Sequence, residues 1–133
     1  MADKHESQLL TSTVVHGQQL GRKLGFPTAN LDPEQLVGEL PSSGVYAAWA
    51  TQTDGTEYRA MVNIGFRPTV DKSHDRLSIE AHLDDFDGDL YGQTLRLEIV
   101  SRIRDERRMN SLEELKAQLA IDLAEVNRQL GKR

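Results

Sequence analysis

The first stretch where residue types and spacing suit chemistry begins after residue 16. Gly17, Gly21 and Gly25 fall at four-residue intervals around Arg22 and Lys23. Glycine lets backbone amides approach an anion closely and the cations offset its charge, so the segment suits a loop wrapped on phosphate. No standard fingerprint fits: three residues rather than four separate Gly17 from Gly21-Arg22, no hydroxyl follows the cation, and G-x-G-x-x-G is absent. Composition alone favours a plain glycine-rich turn. Thr28 and Asn30 follow, two apart, behind Pro27, which fixes its own φ and pushes Phe26 towards extended backbone. If that path continues through Ala29, a hydroxyl and an amide oxygen project to one side. They are hard neutral ligands, suited to Mg²⁺ when substrate phosphates bring most of the negative charge. Spacing alone favours both side chains simply hydrogen-bonding a turn.

Glu80 is the third candidate. It sits between Ile79 and Ala81 on the face opposite its segment's apolar stripe, with His82 beside it. A carboxylate fixed on a strand can be aimed as a general base requires, although a Glu on the solvent side of a half-buried strand is also ordinary. Asp84, Asp85, Asp87 and Asp89 cluster before Tyr91-Gly92 without the Gly and closing Glu of an EF-hand loop, so a solvated turn is the default. His5, His16, His74 and His82 have no metal-ligand spacing. Arg102, Arg104, Arg107 and Arg108 form a basic run that reads as a solvated connection, with an anion site as the minority reading.

These side chains need strands to hold them. Tyr58, Ala60, Val62 and Ile64 alternate with Arg59, Met61 and Asn63; Leu77, Ile79, Ala81 and Leu83 alternate with Ser78, Glu80, His82 and Asp84; Leu95, Leu97 and Ile99 alternate with Arg96, Glu98 and Val100. Residues 45–51 and 11–16 add two more strands, the former left through Thr53-Asp54-Gly55, where Asp-Gly supplies a hairpin turn. The connections are too short for crossover helices, so the strands are antiparallel, and five or six of them favour a closed or nearly closed barrel. The period then changes. Leu112, Leu115, Leu119, Leu123, Val126 and Leu130 form the stripe of an amphipathic helix covering an opening or flank of the barrel. Ser111 with Glu114 makes a capping box at its start, and Gly131 suits its end.

The chain has 133 residues, one domain's worth, with 21 acidic and 16 basic side chains, a net charge of −5 and no cysteine. That excludes a disulfide scaffold and a thiolate metal site. The negative charge and 5% aromatic content argue against nucleic acid as a partner. No signal peptide or spanning segment is visible, so a cytoplasmic domain without a membrane partner is expected. Residues 1–8 read as a mobile start and residues 9–133 as a single domain.

Taken together, the residues resemble the riboflavin kinase (flavokinase) family. Gly17-Gln18-Gln19-Leu20-Gly21-Arg22-Lys23-Leu24-Gly25-Phe26-Pro27-Thr28-Ala29-Asn30 resembles its glycine-rich loop and P-T-A-N motif. Gly44-Val45-Tyr46, Asn63-Ile64-Gly65, Arg67-Pro68-Thr69, Ile79-Glu80-Ala81-His82-Leu83, Leu90-Tyr91-Gly92, Ile103-Arg104-Asp105-Glu106 and Ser111-Leu112-Glu113-Glu114-Leu115 follow in the family's order. The resemblance implies a mainly β fold, a six-stranded antiparallel Greek-key barrel with a C-terminal helix. It also implies phosphorylation of the riboflavin 5′-hydroxyl by ATP and Mg²⁺ to give FMN, with a non-catalytic flavin- or nucleotide-binding barrel as the alternative. Carried over by position, Glu80 is the catalytic base and Thr28 and Asn30 hold Mg²⁺. Gly17, Gly21, Arg22, Thr28, Leu83, Asp85 and Tyr91 bind ATP, and Arg104, Glu106 and Met109 face the flavin. Relatives commonly carry Phe before the helix-capping Ser, where this chain has Met109-Asn110. Bacterial relatives often carry an N-terminal adenylyltransferase; its H-x-G-H motif is absent, so the chain is expected to stand alone or to be cut from a larger bifunctional protein. Residues 67–76 and 103–110 are the expected lids.

Overall fold

The computed structural model describes residues 8–16, 24–67 and 76–131. Gly17, Gly21, Arg22, most of the first expected lid and all of the expected mobile start except Gln8 lie outside them. Six strands, β1 (Gln8–Val15), β2 (Ala29–Leu31), β3 (Gly44–Thr51), β4 (Glu57–Arg67), β5 (Arg76–Leu83) and β6 (Thr94–Arg104), precede a helix, α1 (Leu112–Leu130). The strands close a barrel in the order β1-β2-β5-β4-β3-β6, every neighbouring pair antiparallel. Within it β6-β3-β4-β5 is the Greek key: three hairpin-linked strands and a fourth that returns beside the first.

The alternation decides which side of each strand faces inward. Leu10 and Val14, Leu31, Ala48 and Ala50, Ala60, Val62 and Ile64, Ile79 and Ala81, and Leu95, Leu97 and Ile99 fill the interior. A barrel of six strands has little room inside. Ala48 faces Ala60 across the β3–β4 pair, letting the walls approach while Leu10, Ile64, Ile79, Leu95 and Leu97 supply the bulk.

A second apolar layer lies outside. Val45, Ala47 and Met61 are buried on the outer face beneath Val126, with Leu119, Leu130, Phe26 and Ile103 around them. The helix therefore covers a flank of the barrel, against β3, β4 and β6. Its inward stripe is Leu119, Asp122, Val126 and Leu130, whereas Leu112 is exposed. Ser111 Oγ accepts from the Glu114 amide at 3.0 Å, while the Glu114 carboxylate reaches back one residue further than a capping box does, to the Asn110 amide at 2.7 Å.

Strand β6 slips against β3 at two places, between Val45 and Tyr46 and between Ala47 and Ala48. Each slip inserts an extra residue and re-aims the side chains after it. Beyond Ile99 the simple alternation ends: Ile103 joins the outer layer and Arg104 reaches the helix.

Candidate functional site

A cavity of about 690 Å³ opens at one end of the barrel. Its walls are the end of β1 with His16, residues 27–30 leading into β2, Ala81 and Leu83 of β5, and the β5–β6 turn from Phe86 to Tyr91. That turn is anchored. Asp89 accepts from the Tyr91 amide at 2.9 Å, Gly92 donates to Val14 O at 2.9 Å, Val14 donates to Gln93 O at 2.8 Å, and Phe86 packs edge-on against Tyr58. Asp85 takes the left-handed conformation, φ 65°, at the turn's entrance, which Asp tolerates better than most residues. Tyr91 stacks on His16 with ring centroids 3.7 Å apart, giving the cavity a flat aromatic edge.

Thr28 and Asn30 line the cavity; Glu80 is not among its lining residues but stands beside both. Pairing of β2 with β5 puts Asn30 directly opposite Glu80, and β4 places Asn63 opposite Glu80 on the other side. The Thr28 hydroxyl donates to Glu80 Oε1 at 3.2 Å, and Ser78 donates to Oε2 at 3.3 Å. A hydroxyl that gives its proton to a carboxylate keeps its lone pairs free for a cation. Among the described residues no group of three or more His, Cys, Asp or Glu gathers to cage a metal. The donor set here is one carboxylate with neutral oxygens, the chemistry of a hard cation that shares its shell with phosphate.

His82 is buried on the same outer face as Glu80, covered by the segment that precedes β2. Its Nδ1 lies 2.7 Å from the Pro27 carbonyl oxygen, and its ring meets Phe26 edge-on at 5.5 Å.

Arg104, Glu106 and Met109, expected to face the flavin, lie at the exit of β6 and just beyond it. Arg104 is held by the helix: Nε bonds both oxygens of Asp122 at 3.0 Å, Nη2 bonds Oδ2 at 2.8 Å, and Nη1 donates to Asp105 O. Gln118 donates to the same carboxylate at 2.9 Å. The Glu106 carboxylate covers Gly65 so closely that a Cβ there would collide with it. Met109 Sδ lies 3.5 Å from Arg107 Nη2. Arg102 bonds Asp105 at 2.6 Å and Tyr46 Oη at 2.8 Å, and the Asp105 bond raises its pKa further. Its guanidinium fills the space beside Gly44, φ 153°, where a Cβ would stand 2.8 Å away.

Of the residues expected around a nucleotide, Thr28, Leu83 and Tyr91 line the cavity, while Asp85 stands outside its lining at the turn's entrance. His16 and Phe86 line it without having been singled out. Their partners, Tyr91 and Tyr58, are distant in sequence, and only strand pairing brings them close.

Residues 5–130 match the flavokinase family model, described as riboflavin kinase. The chain is 41% identical over 118 residues to the bifunctional riboflavin kinase/FMN adenylyltransferase of Bacillus subtilis (strain 168), a match over 86% of this chain and 36% of the relative. It is 42% identical over 113 residues to the protein of that name from Escherichia coli (strain K12), over 85% and 35%. It is 41% identical over 116 residues to the RNA-binding riboflavin kinase RibR of B. subtilis, over 87% and 48%. The chain thus spans between 35% and 48% of these relatives' lengths. Among solved structures, a macrolide-efflux protein from Streptococcus pneumoniae superposes with a TM-score of 0.77 at 34% identity, over 90% of this chain and 38% of that one. A riboflavin kinase from Trypanosoma brucei has a TM-score of 0.63 at 23% identity, over 96% and 82%, a likeness of fold. No helix among the described residues is long and apolar enough to cross a membrane.

Proposed function

This chain belongs to the riboflavin kinase family, and we propose that it transfers the γ-phosphoryl group of ATP to the 5′-hydroxyl of riboflavin, giving FMN and ADP. The observation that carries the reading is the Thr28–Glu80 bond, which joins residues 52 apart in sequence and ties Glu80 to a residue that lines a cavity of about 690 Å³. Glu80 takes the hydroxyl proton as the 5′-oxygen bonds to phosphorus and the bond to the β–γ bridging oxygen breaks. Phosphoryl transfer depends mainly on positioning and charge neutralisation, so one aimed carboxylate suffices.

Thr28 and Asn30 would hold Mg²⁺ by neutral oxygens. Bound there, the ion would neutralise charge on the phosphates. Among the described residues the cavity lining carries Asp87 and Asp89, whose charge would add to that need. Gly17, Gly21 and Arg22 would follow the phosphates, with Leu83, Asp85 and Tyr91 around the nucleoside. Arg104, Glu106 and Met109 would border the flavin, Arg104 chiefly by fixing the loop that carries the other two. An adenylyltransferase, as in the bifunctional relatives, is the partner that would consume the FMN, and a cytoplasmic site fits both substrates.

The test is incubation with riboflavin, ATP and Mg²⁺ followed by chromatographic separation of the flavins. FMN and ADP should appear in equal amounts. Riboflavin binding with no ATP consumed would instead establish the alternative, a non-catalytic flavin-binding barrel.

A further inference from the structure

We infer that His82 is a positioning residue that fastens the Phe26-Pro27 segment to β5 and thereby sets Thr28 against Glu80; this rests on reading Thr28, Asn30 and Glu80 as the phosphate and metal end of the site. The Pro27 oxygen is a carbonyl and can only accept, so the 2.7 Å contact requires the proton on His82 Nδ1. His82 is 8% exposed and its ring meets Phe26 edge-on, so the imidazole is held against the segment and away from solvent.

The fastening adds a polar tie to a stretch otherwise held by the packing of Phe26 in the outer apolar layer and by the Thr28–Glu80 bond. Strand β2 begins at Ala29, paired with Ala81. Among the described residues, no backbone hydrogen bond outside the strand ladders engages residues 26–28. Pro27 has no amide proton, so its carbonyl is the one main-chain group it offers. Side chains at 80 and 82 project from the same face of β5, about 7 Å apart along the strand. The strand therefore grips the incoming chain twice, at Pro27 through His82 and at Thr28 through Glu80. Losing the first grip frees the chain just before Thr28, and the hydroxyl and Asn30 no longer converge.

Asn is the diagnostic replacement, because its amide nitrogen occupies the place of Nδ1. Leu removes the donor, and Gln moves it to the place of Nε2. The experiment is calorimetric titration of the whole chain with ADP, with and without Mg²⁺, alongside hydrogen exchange of residues 26–31. H82L should keep its affinity for metal-free ADP, lose about tenfold of the Mg²⁺-dependent gain, as losses of metal-orienting contacts do, and exchange faster at Thr28 and Ala29. H82N should restore most of both. If H82L does not fold, H82Q takes its place. Wild-type Mg²⁺-dependent binding in H82L, equal losses in H82N and H82L, or no Mg²⁺-dependent gain in the wild type would each overturn the role. A wild type that shows the gain and the H82L loss but makes no FMN would overturn the phosphoryl-transfer reading and support the role of His82.

Discussion

Removing the Asp122 carboxylate should destabilise the protein severely, although Asp122 lies outside the proposed catalytic group. Its side chain is 2% exposed and that of Arg104 is 21% exposed. The carboxylate takes three close contacts from the guanidinium and one from Gln118. Breaking a fully buried pair costs roughly 3–5 kcal/mol, because the surviving charge is left without a partner. Arg104 recovers some hydration through its exposed fifth, so about 2–4 kcal/mol is expected for Asp122→Ala. For a domain of this size each kcal/mol shifts Tm by about 3–4 °C, which puts the loss at roughly 6–16 °C. Circular-dichroism melts and urea titrations of D122A, R104M and the double variant R104M/D122L read it directly. The double variant should regain much of the loss, since neither charge remains to be desolvated. In the folded fraction of D122A, KM for riboflavin should rise while KM for ATP holds, because the pair fixes the exit of β6 and not the cavity. A D122A melt within about 2 °C of wild type, or a double variant no more stable than D122A, would refute the reasoning.

Glu80→Gln should lower kcat by about 10²- to 10⁴-fold, the usual range for a general base, with ATP affinity retained because the amide oxygen still accepts from Thr28; unchanged turnover removes Glu80 from the chemistry. Tyr91→Ala should raise KM for ATP about two- to tenfold, the equivalent of one lost aromatic stack, with kcat preserved, and equal effects on ATP and riboflavin would place the nucleoside elsewhere. The Glu125 carboxyl is held down to about 2, mainly by its hydrogen bond from Arg128 and next by that from Gln129. A lowered carboxylate pKa stabilises the fold above the ordinary value of 4.5 and loses that contribution as pH falls towards 2. Because the pair lies at the surface, with Glu125 partly and Arg128 largely accessible to solvent, the effect shows in the NMR titration midpoint of Glu125 rather than in Tm, and a midpoint near 4.5 would mean the contact with Arg128 does not persist in solution.

The strands were readable wherever a period of two ran unbroken, as at Ala60-Val62-Ile64 and Ile79-Ala81-Leu83, because each apolar residue there faces the same interior. The family resemblance assigns Thr28, Asn30 and Glu80 to one site, and the β2–β5 register sets Asn30 opposite Glu80. What stayed hidden depends on partners remote in sequence. His82 and Met61 sit at outward positions, normally solvent-facing, yet the segment at 26–27 covers one and α1 covers the other. Asp122 interrupts an apolar stripe, and its partner Arg104 faces the helix only after β6 has slipped twice. Nothing local marks a residue whose orientation is set by a bulge.

The barrel is closed by its first and last strands. Residues Gln8 to Thr13 pair with Ile99 to Thr94, roughly eighty to ninety positions apart along the chain. On a ribosome adding about 5–20 residues per second, β1 waits roughly 4–18 s for this partner. During that time Leu10 and Val14 have no complete interior to enter. The cavity is assembled late as well, since His16 flanks the early strand and Tyr91 belongs to the turn just before β6. Nucleotide recognition, as proposed, would thus be a property of the finished barrel, and a nascent chain arrested before β6 would carry Thr28, Asn30 and Glu80 without the closed barrel around them.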